Sequence, residues 1–300
     1  MFTGCGTAMV TPFRRDGSLD ELALRNLIRR QIEAGIDFLV PCGTTGESPT
    51  LTHEEHLRVV ELTVEMAKGK VPVLAGAGGY NTAEVIALAQ ELAAIGVDGI
   101  LSVTPYYNKP TQEGLFQHYR AIAEAISLPI ILYSVQGRTG VNIEPATVKR
   151  LGEIENIVGI KEASGSIAQM AAILNTVADR FIVLSGDDAI TLPLIALGGR
   201  GVISVVSNEI PAEMTRLARL AVEDDFAGAR ELHRRYHALM EVNFVESNPI
   251  PVKAALAEMG LLEPVWRLPL VAPKAENHAR IRNVLASAGL VDRVHGAVAN

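Results

Sequence analysis

Short runs of apolar residues alternate with longer amphipathic stretches over the first two thirds of the chain. We count eight apolar runs, at residues 8–10, 38–40, 71–75, 100–103, 129–133, 157–160, 181–184 and 202–206. Runs of this length are typical of strands that are buried on both faces, as in a parallel sheet. The pattern therefore predicts eight parallel strands.

The stretches between these runs carry apolar residues at helical spacing. They include residues 19–34, 54–68, 82–95, 114–126, 145–151 and 167–178. Three of them open with capping-box spacing, at Ser18 and Glu21, Thr52 and Glu55, and Ser166 and Gln169. Strand, loop and helix repeated along the chain predict a (β/α)₈ barrel, of class α/β, over residues 1–210.

A doubly wound open sheet is the alternative fold. It would need a glycine-rich turn after its first strand, and the nearest candidate, residues 76–79, lacks the third glycine and the acidic partner downstream. Beyond residue 207 the pattern is helical, at residues 212–223, 226–245, 251–259 and 277–288. We expect residues 211–300 to form a C-terminal helical region that packs on the barrel and serves assembly.

Composition narrows the class of protein. The 300 residues are 48% hydrophobic and carry a net charge of −7, which argues against nucleic-acid binding because that needs a basic face. No stretch is long and apolar enough to span a bilayer, and the N-terminus lacks the features of a secretory signal. Two cysteines, Cys5 and Cys42, are too few for a disulfide framework. We expect a cytoplasmic protein with small-molecule substrates and no membrane or nucleic-acid partner.

Polar residues at the strand ends are the candidates for chemistry, because active sites of such barrels lie at the carboxyl ends of the strands. These ends carry hydroxyls, glycines, tyrosines and one amine. His53 and His56 lie three residues apart, but no carboxylate stands beside them at zinc-ligand spacing, so we expect no metal site. Asp187 and Asp188 follow a glycine, and we expect them to shape their loop or cap the next helix.

The amine belongs to Lys161, at the end of the sixth apolar run. Burial disfavours the charged form of a lysine, and a neutral amine can attack a carbonyl to form a Schiff base. The alternative is a lysine that reaches out of the strand end to pair with Glu162 or a nearby carboxylate.

A Schiff base with a keto acid needs a proton shuttle and donors for the carboxylate. Tyr133 ends the preceding strand and is placed to transfer protons, with Thr44 and Tyr107 as a relay. The alternative is a tyrosine that only satisfies a buried backbone group. The glycine-rich loop 43–46 offers backbone amides to an anion, unless it is no more than a turn.

Together these motifs resemble one family. They are Gly43-Thr44-Thr45-Gly46-Glu47, Pro105-Tyr106-Tyr107, Tyr133 with Arg138-Thr139-Gly140, Gly159-Ile160-Lys161-Glu162 and Gly186-Asp187. They are similar to those of the pyruvate-dependent class I lyases and aldolases, typified by dihydrodipicolinate synthase and N-acetylneuraminate lyase. The similarity runs from residue 7 to the segment 248–253, nearly the whole chain.

The resemblance implies roles for the candidate residues. Lys161 would form the imine with pyruvate, and Tyr133 would transfer protons through Thr44 and Tyr107. In this family the second tyrosine comes from a neighbouring subunit, which implies a tight dimer inside a homotetramer. No metal or organic cofactor is expected, because the enamine itself stores the electrons.

The resemblance also implies how substrates are held. Thr45, Gly186 and the backbone near Ile203 would bind pyruvate, and Arg138 would hold a carboxylate of L-aspartate 4-semialdehyde, since a guanidinium suits bidentate carboxylate binding. An arginine paired with a surface acid is the alternative. The implied enzyme is a lyase that condenses the two substrates to 4-hydroxy-tetrahydrodipicolinate, in the diaminopimelate route of lysine biosynthesis.

Two departures bear on the second substrate. The family carries an asparagine and a proline where this chain has Ser134 and Gln136. Loss of the proline frees the backbone, so we expect a looser loop around Arg138.

Two alternative functions stay open. They are another pyruvate-dependent aldolase or lyase, acting on a sugar acid or hydroxy-keto acid, and a catalytically silent keto-acid sensor.

The resemblance places a candidate allosteric site for lysine at one further group of residues: Ser48, His53, His56, Glu84 and Tyr106, with Tyr80 where an asparagine is frequent. The bulk of Tyr80 would occupy part of such a site. The sequence therefore predicts the location of a site but not its response.

Overall fold

The computed structural model describes residues 1–292. Eight parallel strands form one sheet: β1 Gly4–Ala8, β2 Phe38–Val40, β3 Leu74–Gly76, β4 Gly99–Val103, β5 Ile130–Ser134, β6 Ile157–Glu162, β7 Ile182–Ser185 and β8 Gly201–Ser204. The strand order is β2-β1-β8-β7-β6-β5-β4-β3. A parallel bridge between Leu39 and Val73 joins β2 to β3 and closes the barrel. The predicted (β/α)₈ barrel with C-terminal helices is confirmed.

Helices follow the strands. They are α1 Glu21–Glu33, α2 His53–Ala67, α3 Thr82–Ile95, α4 Gln112–Ala125, α5 Gln136–Thr139, α6 Pro145–Leu151, α7 Ile167–Leu174, α8 Thr191–Ala196, α9 Pro211–Val222, α10 Phe226–Val242, α11 Ile250–Glu258 and α12 Ala275–Ala288. Within the described residues, no helix combines the length and the apolar character that a membrane crossing requires.

The first strand begins earlier than the apolar pattern predicts. It covers Gly4–Ala8 instead of residues 8–10, and it pairs with both β2 and β8. Glycines interrupt the apolar pattern of this strand. The structure requires glycine at position 6, because a Cβ there would lie 2.1 Å from the ring of Phe38. The predicted position was wrong because close packing selected glycine instead of an apolar residue.

Two of the three predicted helix starts are correct. Thr52 and Glu55 form a complete capping box on α2, and the Ser166 hydroxyl accepts the Gln169 amide on α7. The predicted box at Ser18 is wrong, because Asp20 caps α1 through the amide of Ala23. Ser18 instead hydrogen-bonds Asp16 in the preceding turn.

The C-terminal helices pack on the side of the barrel near its first and last strands. Helix α9 contacts β1 and β8, and it buries Met214, Leu217 and Ala218. It therefore occupies the place of the helix that follows the eighth barrel strand. The predicted boundary at residue 210 falls between β8 and this helix.

Candidate active site

The carboxyl ends of the strands open into one large cavity of about 1020 Å³. Thr44, Tyr107, Tyr133 and Arg138 line it, although they belong to three different strand–helix units. The structure thus brings four residues singled out in the sequence to the same space.

Lys161 lies on β6 and is only 5% exposed. It stands beside Tyr133 in the register of β5 and β6, and its Nζ atom lies 4.3 Å from the centre of the Tyr133 ring. Tyr133 belongs to the apolar cluster inside the barrel, so both side chains face the interior. Within residues 1–292 the Lys161 ammonium makes no hydrogen bond and no ion pair.

Glu162 does not pair with Lys161, because successive residues of a strand face opposite sides. Its carboxylate lies outside the barrel, where Oε1 accepts hydrogen bonds from Gln169 and from the amide of Ser164. Burial raises the pKa of this carboxyl group. The interpretation of Lys161 as half of a local ion pair is therefore wrong.

Ser134 belongs to the same polar network behind the strands. Its hydroxyl donates to the Asn142 side chain and accepts the amide of Ile143. The Asn142 side chain in turn bonds Gln169, which bonds Glu162. The serine that departs from the family pattern thus has a defined structural role on the face opposite the cavity.

Gly186 lies close to the buried lysine, and Ile203 lies inside the barrel. A Cβ on Gly186 would lie 2.5 Å from the Ala163 side chain and 3.1 Å from Cε of Lys161, so only glycine fits beside the amine. Ile203 is 1% exposed and belongs to the same interior cluster as Tyr133. Gly186 therefore borders the Lys161 side chain, and Ile203 shares the barrel interior with Tyr133.

The loop after β2 is a tight turn with free donors. The amide of Gly46 donates to Gly43 and that of Glu47 donates to Thr44, each at 3.1 Å. The amides of Thr44 and Thr45 have no acceptor in the described part of the chain. A short 3₁₀ helix, Ser48–Thr50, separates this loop from α2, so the donors come from the turn and not from a helix N-terminus.

Arg138 lies on α5 and is held from the far end of the chain. Its Nη2 atom donates to the Asn248 carbonyl at 3.1 Å. The Arg138 and Thr139 amides both donate to the Val135 carbonyl and close a helical turn, and the predicted looseness of this loop stays a prediction.

Tyr107 borders the cavity from an exposed loop. Its side chain is 89% exposed and its backbone is left-handed, with φ of 66°. A large aromatic residue in a strained and solvated position is unusual, and such strain persists where another interaction compensates for it. Within one chain the structure does not connect Tyr107 to Tyr133 or Thr44 by a hydrogen bond.

Comparison with known proteins identifies the family. The model of the dihydrodipicolinate synthetase family matches residues 1–288. The chain is 55% identical over 289 residues to a protein of Koribacter versatilis named 4-hydroxy-tetrahydrodipicolinate synthase, and the match covers 96% of each chain. The chain belongs to the dihydrodipicolinate synthetase family.

Solved structures of the dihydrodipicolinate synthetase family superpose closely on this chain. Dihydrodipicolinate synthase from Aquifex aeolicus has a TM-score of 0.95 at 45% identity, covering 97% of this chain and all of the other. The enzyme from Acinetobacter baumannii, solved with pyruvate, has a TM-score of 0.96 at 44% identity and equal coverage. The predicted function, that of a lyase with 4-hydroxy-tetrahydrodipicolinate synthase activity in lysine biosynthesis, is confirmed.

The six residues of the candidate allosteric site divide between two cavities. Ser48 and His56 line the large cavity, while His53, Tyr80 and Glu84 line a neighbouring one of about 430 Å³. The sixth residue, Tyr106, lines both and meets the Tyr80 ring edge-on at 5.1 Å between ring centres. Inhibition by lysine stays a prediction.

The two histidines of this group have other partners than a metal. His53 bonds Glu91 at 2.7 Å, and His56 bonds the carbonyl of Gly76. Burial lowers the pKa of His56. No three His, Cys, Asp or Glu side chains come together as a metal site in residues 1–292.

Sequence reasoning missed the contacts that the C-terminal segment makes with the site. The side-chain amide of Asn248 donates to the Thr45 hydroxyl at 2.9 Å, and Lys253 forms a buried ion pair with Glu47. The segment 248–253 was identified in the sequence, but the candidate site residues were sought at the strand ends, and this segment follows the last strand. Its only local signal is a lysine within the apolar residues 250–257, which needs a buried partner.

Proposed function

We propose that Lys161 attacks the keto carbon of pyruvate and that the resulting imine is the intermediate of the reaction. One observation carries this proposal: a buried amine faces the barrel interior beside Tyr133, with no counter-charge in the described part of the chain. An unpaired lysine in such a place is expensive unless it has a chemical use. The carbonyl oxygen leaves as water when the imine forms.

The carboxylate of pyruvate would bind at the loop after β2. The free amides of Thr44 and Thr45 support this placement, because successive backbone N–H groups in a turn can bind an anion. The Thr45 hydroxyl already accepts a hydrogen bond from Asn248, so its own proton is available for the carboxylate.

Tyr133 would move the protons. Removal of a proton from the pyruvate methyl group of the imine gives an enamine, whose carbon attacks the aldehyde of L-aspartate 4-semialdehyde. The aldehyde oxygen takes up a proton, and addition of the substrate amine to the imine carbon closes the ring and releases Lys161. Thr44 and Tyr107 would relay protons between Tyr133 and solvent.

Arg138 would bind the carboxylate of the aldehyde substrate. It lies on the rim of the cavity, and its contact with the Asn248 carbonyl leaves the other guanidinium N–H groups for a ligand. In these reaction steps the enamine holds the electron pair that forms the new bond. The proposed chemistry therefore uses no metal or organic cofactor.

The proposed assembly is a homotetramer of tight dimers in the cytoplasm. The exposure and strain of Tyr107 support a partner subunit that covers this residue and receives its hydroxyl. Two buried free thiols, Cys5 and Cys42, support a reducing compartment.

The imine is tested by intact-mass spectrometry after incubation with pyruvate and borohydride. The wild type is expected to gain one reduced pyruvate, and Lys161→Ala, checked for folding by circular dichroism, is expected to gain none. Absence of an adduct on the folded wild type would remove the mechanism.

The second substrate is tested by turnover. Consumption of L-aspartate 4-semialdehyde in the presence of pyruvate is expected, with no cleavage of sugar acids. Cleavage of a sugar acid alone would assign the chain to another lyase activity, and an adduct without any turnover would indicate a sensor.

A further inference from the structure

A buried ion pair ties the C-terminal helical region to the loop that would bind the keto acid. Lys253 on α11 and Glu47 at the end of the loop after β2 are both fully buried, with 2.5 Å between Nζ and Oε1. The second carboxylate oxygen of Glu47 accepts the backbone amide of Arg267 at 3.4 Å. The pair joins residues that are 206 positions apart in the chain.

We propose that Lys253 is a positioning residue, which sets the keto-acid-binding loop through Glu47. This inference rests on the proposed role of that loop in binding pyruvate. It gives the C-terminal region a part in substrate binding that is separate from assembly.

An aromatic ring and the hydrogen bonds of Arg267 surround the ion pair. The Phe13 ring lies close to two cations, 4.4 Å from Nζ of Lys253 and 4.1 Å from Cζ of Arg267. Arg267 also bonds Glu55 with two N–H groups and donates to the carbonyls of Gly17 and Thr50. The lysine is therefore paired at its tip and packed against an aromatic ring.

The pair reaches the binding atoms in two steps. Glu47 has a left-handed backbone, with φ of 53°, and its amide donates to the Thr44 carbonyl. The conformation of Glu47 thereby fixes the turn that presents the Thr44 and Thr45 amides. A carboxylate clamped by Lys253 would hold a non-glycine residue in this unfavourable conformation.

Stability alone gives no reason for an ion pair at this place. The loss of hydration of two buried charges offsets much of their mutual attraction. Well-packed apolar residues of similar volume often give equal or greater stability. An ion pair with one further hydrogen bond, from the Arg267 amide, differs from apolar packing in being directional. That property suits a loop whose amides must point at a ligand.

The test is the variant Lys253→Met, which keeps most of the length of the side chain and removes its charge. We expect KM for pyruvate to rise at least tenfold, with a smaller change in kcat, and the pyruvate concentration for half-maximal borohydride adduct to rise in parallel. Lys253→Arg is expected to recover part of the affinity for pyruvate.

Arg282→Met is the matched control. Arg282 on α12 pairs with Glu258 on α11 at 2.8 Å, so this substitution removes an ion pair of the same helix without touching the loop. Its KM for pyruvate is expected to stay within twofold of the wild type.

A folded Lys253→Met protein with the wild-type KM for pyruvate would overturn the proposal and leave the pair a structural role only. Should this variant not fold, the double variant Glu47→Gln with Lys253→Met leaves no unpaired buried charge and replaces it in the same assay. Failure of the wild type to form an adduct would instead refute the proposed function.

Discussion

Asp188 holds the chain where it leaves the last strand. Its Oδ2 atom accepts hydrogen bonds from the amides of both Val205 and Val206, just after β8. Asp187 accepts a hydrogen bond from the amide of Ala189 and shapes its own loop, as predicted. The same prediction for Asp188 was wrong, because its side chain bonds the segment after β8. Burial raises the pKa of Asp188 to about 6, because the charged form loses its hydration.

The raised pKa makes stability depend on pH. An unfolded aspartate releases its proton near pH 4, whereas Asp188 keeps it up to about pH 6 when folded. Its contribution to the free energy of unfolding is therefore full below pH 4 and declines as pH rises to 6, by about 3 kcal/mol.

Asp188→Asn should remove this decline, which urea denaturation between pH 4.5 and 7 measures. The free energy of unfolding of the variant minus that of the wild type should therefore increase as pH rises across that interval. Parallel pH curves for the two proteins would contradict the assignment.

At the scale of elements, the short helix α5 shows how a loop is held without proline. The Thr139 hydroxyl contacts four polar groups: the carbonyls of Val135 and Val141, the amide of Val141 and the hydroxyl of Thr104. These bonds fasten the turn that carries Arg138. The side-chain hydroxyl thus supplies the order that a proline ring would supply through the backbone.

Thr139→Val should loosen this turn while preserving its volume. We expect KM for L-aspartate 4-semialdehyde to rise several-fold and the pyruvate adduct to form as in the wild type. Stability should fall by about 1–3 kcal/mol, since buried groups lose their partner. Steady-state kinetics in both substrates checks this, and an unchanged KM for the aldehyde would show that Arg138 is held by Asn248 alone.

Local sequence patterns predicted the helices and strands whose bounds depend only on apolar periodicity and end signals. Helices α3 and α6 have the predicted bounds, since Asn81 caps α3, Gly96 ends it and Pro145 begins α6. Strand β1 was misplaced because its packing requires glycine, and α8 was not delimited because it is short and contains Pro193. Where packing overrides composition, the apolar pattern loses the boundary.

The candidate site divides in the same way. Lys161 and Tyr133 could be found because each ends a recognisable strand. The bond from Asn248 to Thr45 spans 203 positions, and no local pattern encodes it. The fold that brings such residues together must be known before their contact can be.

At the scale of the whole molecule, the proposed proton relay would need residues from two chains. Tyr107 is exposed on its own subunit, and the proposed dimer would place it in the site of the neighbour. Each site would then draw its lysine from one chain and its second tyrosine from the other.

Mixing two inactive variants tests this arrangement. Lys161→Ala lacks the amine, and Tyr107→Phe lacks the relay hydroxyl, so each alone should lose activity by a factor of about 10² or more. Random pairing of equal amounts makes half of the dimers mixed, each with one complete site, so about a quarter of wild-type activity should return. Mixed dimers seen by native mass spectrometry without recovered activity would show that Tyr107 does not cross between subunits.

The burial of Glu47 sets a lower limit on how far this chain can be shortened. A barrel trimmed after α9 would retain all eight strands and their helices, yet it would lose Lys253 and Arg267. Glu47 would then be a carboxylate without a cation in the wall of the barrel. A design for a minimal barrel would have to replace Glu47 first or keep the chain through Arg267.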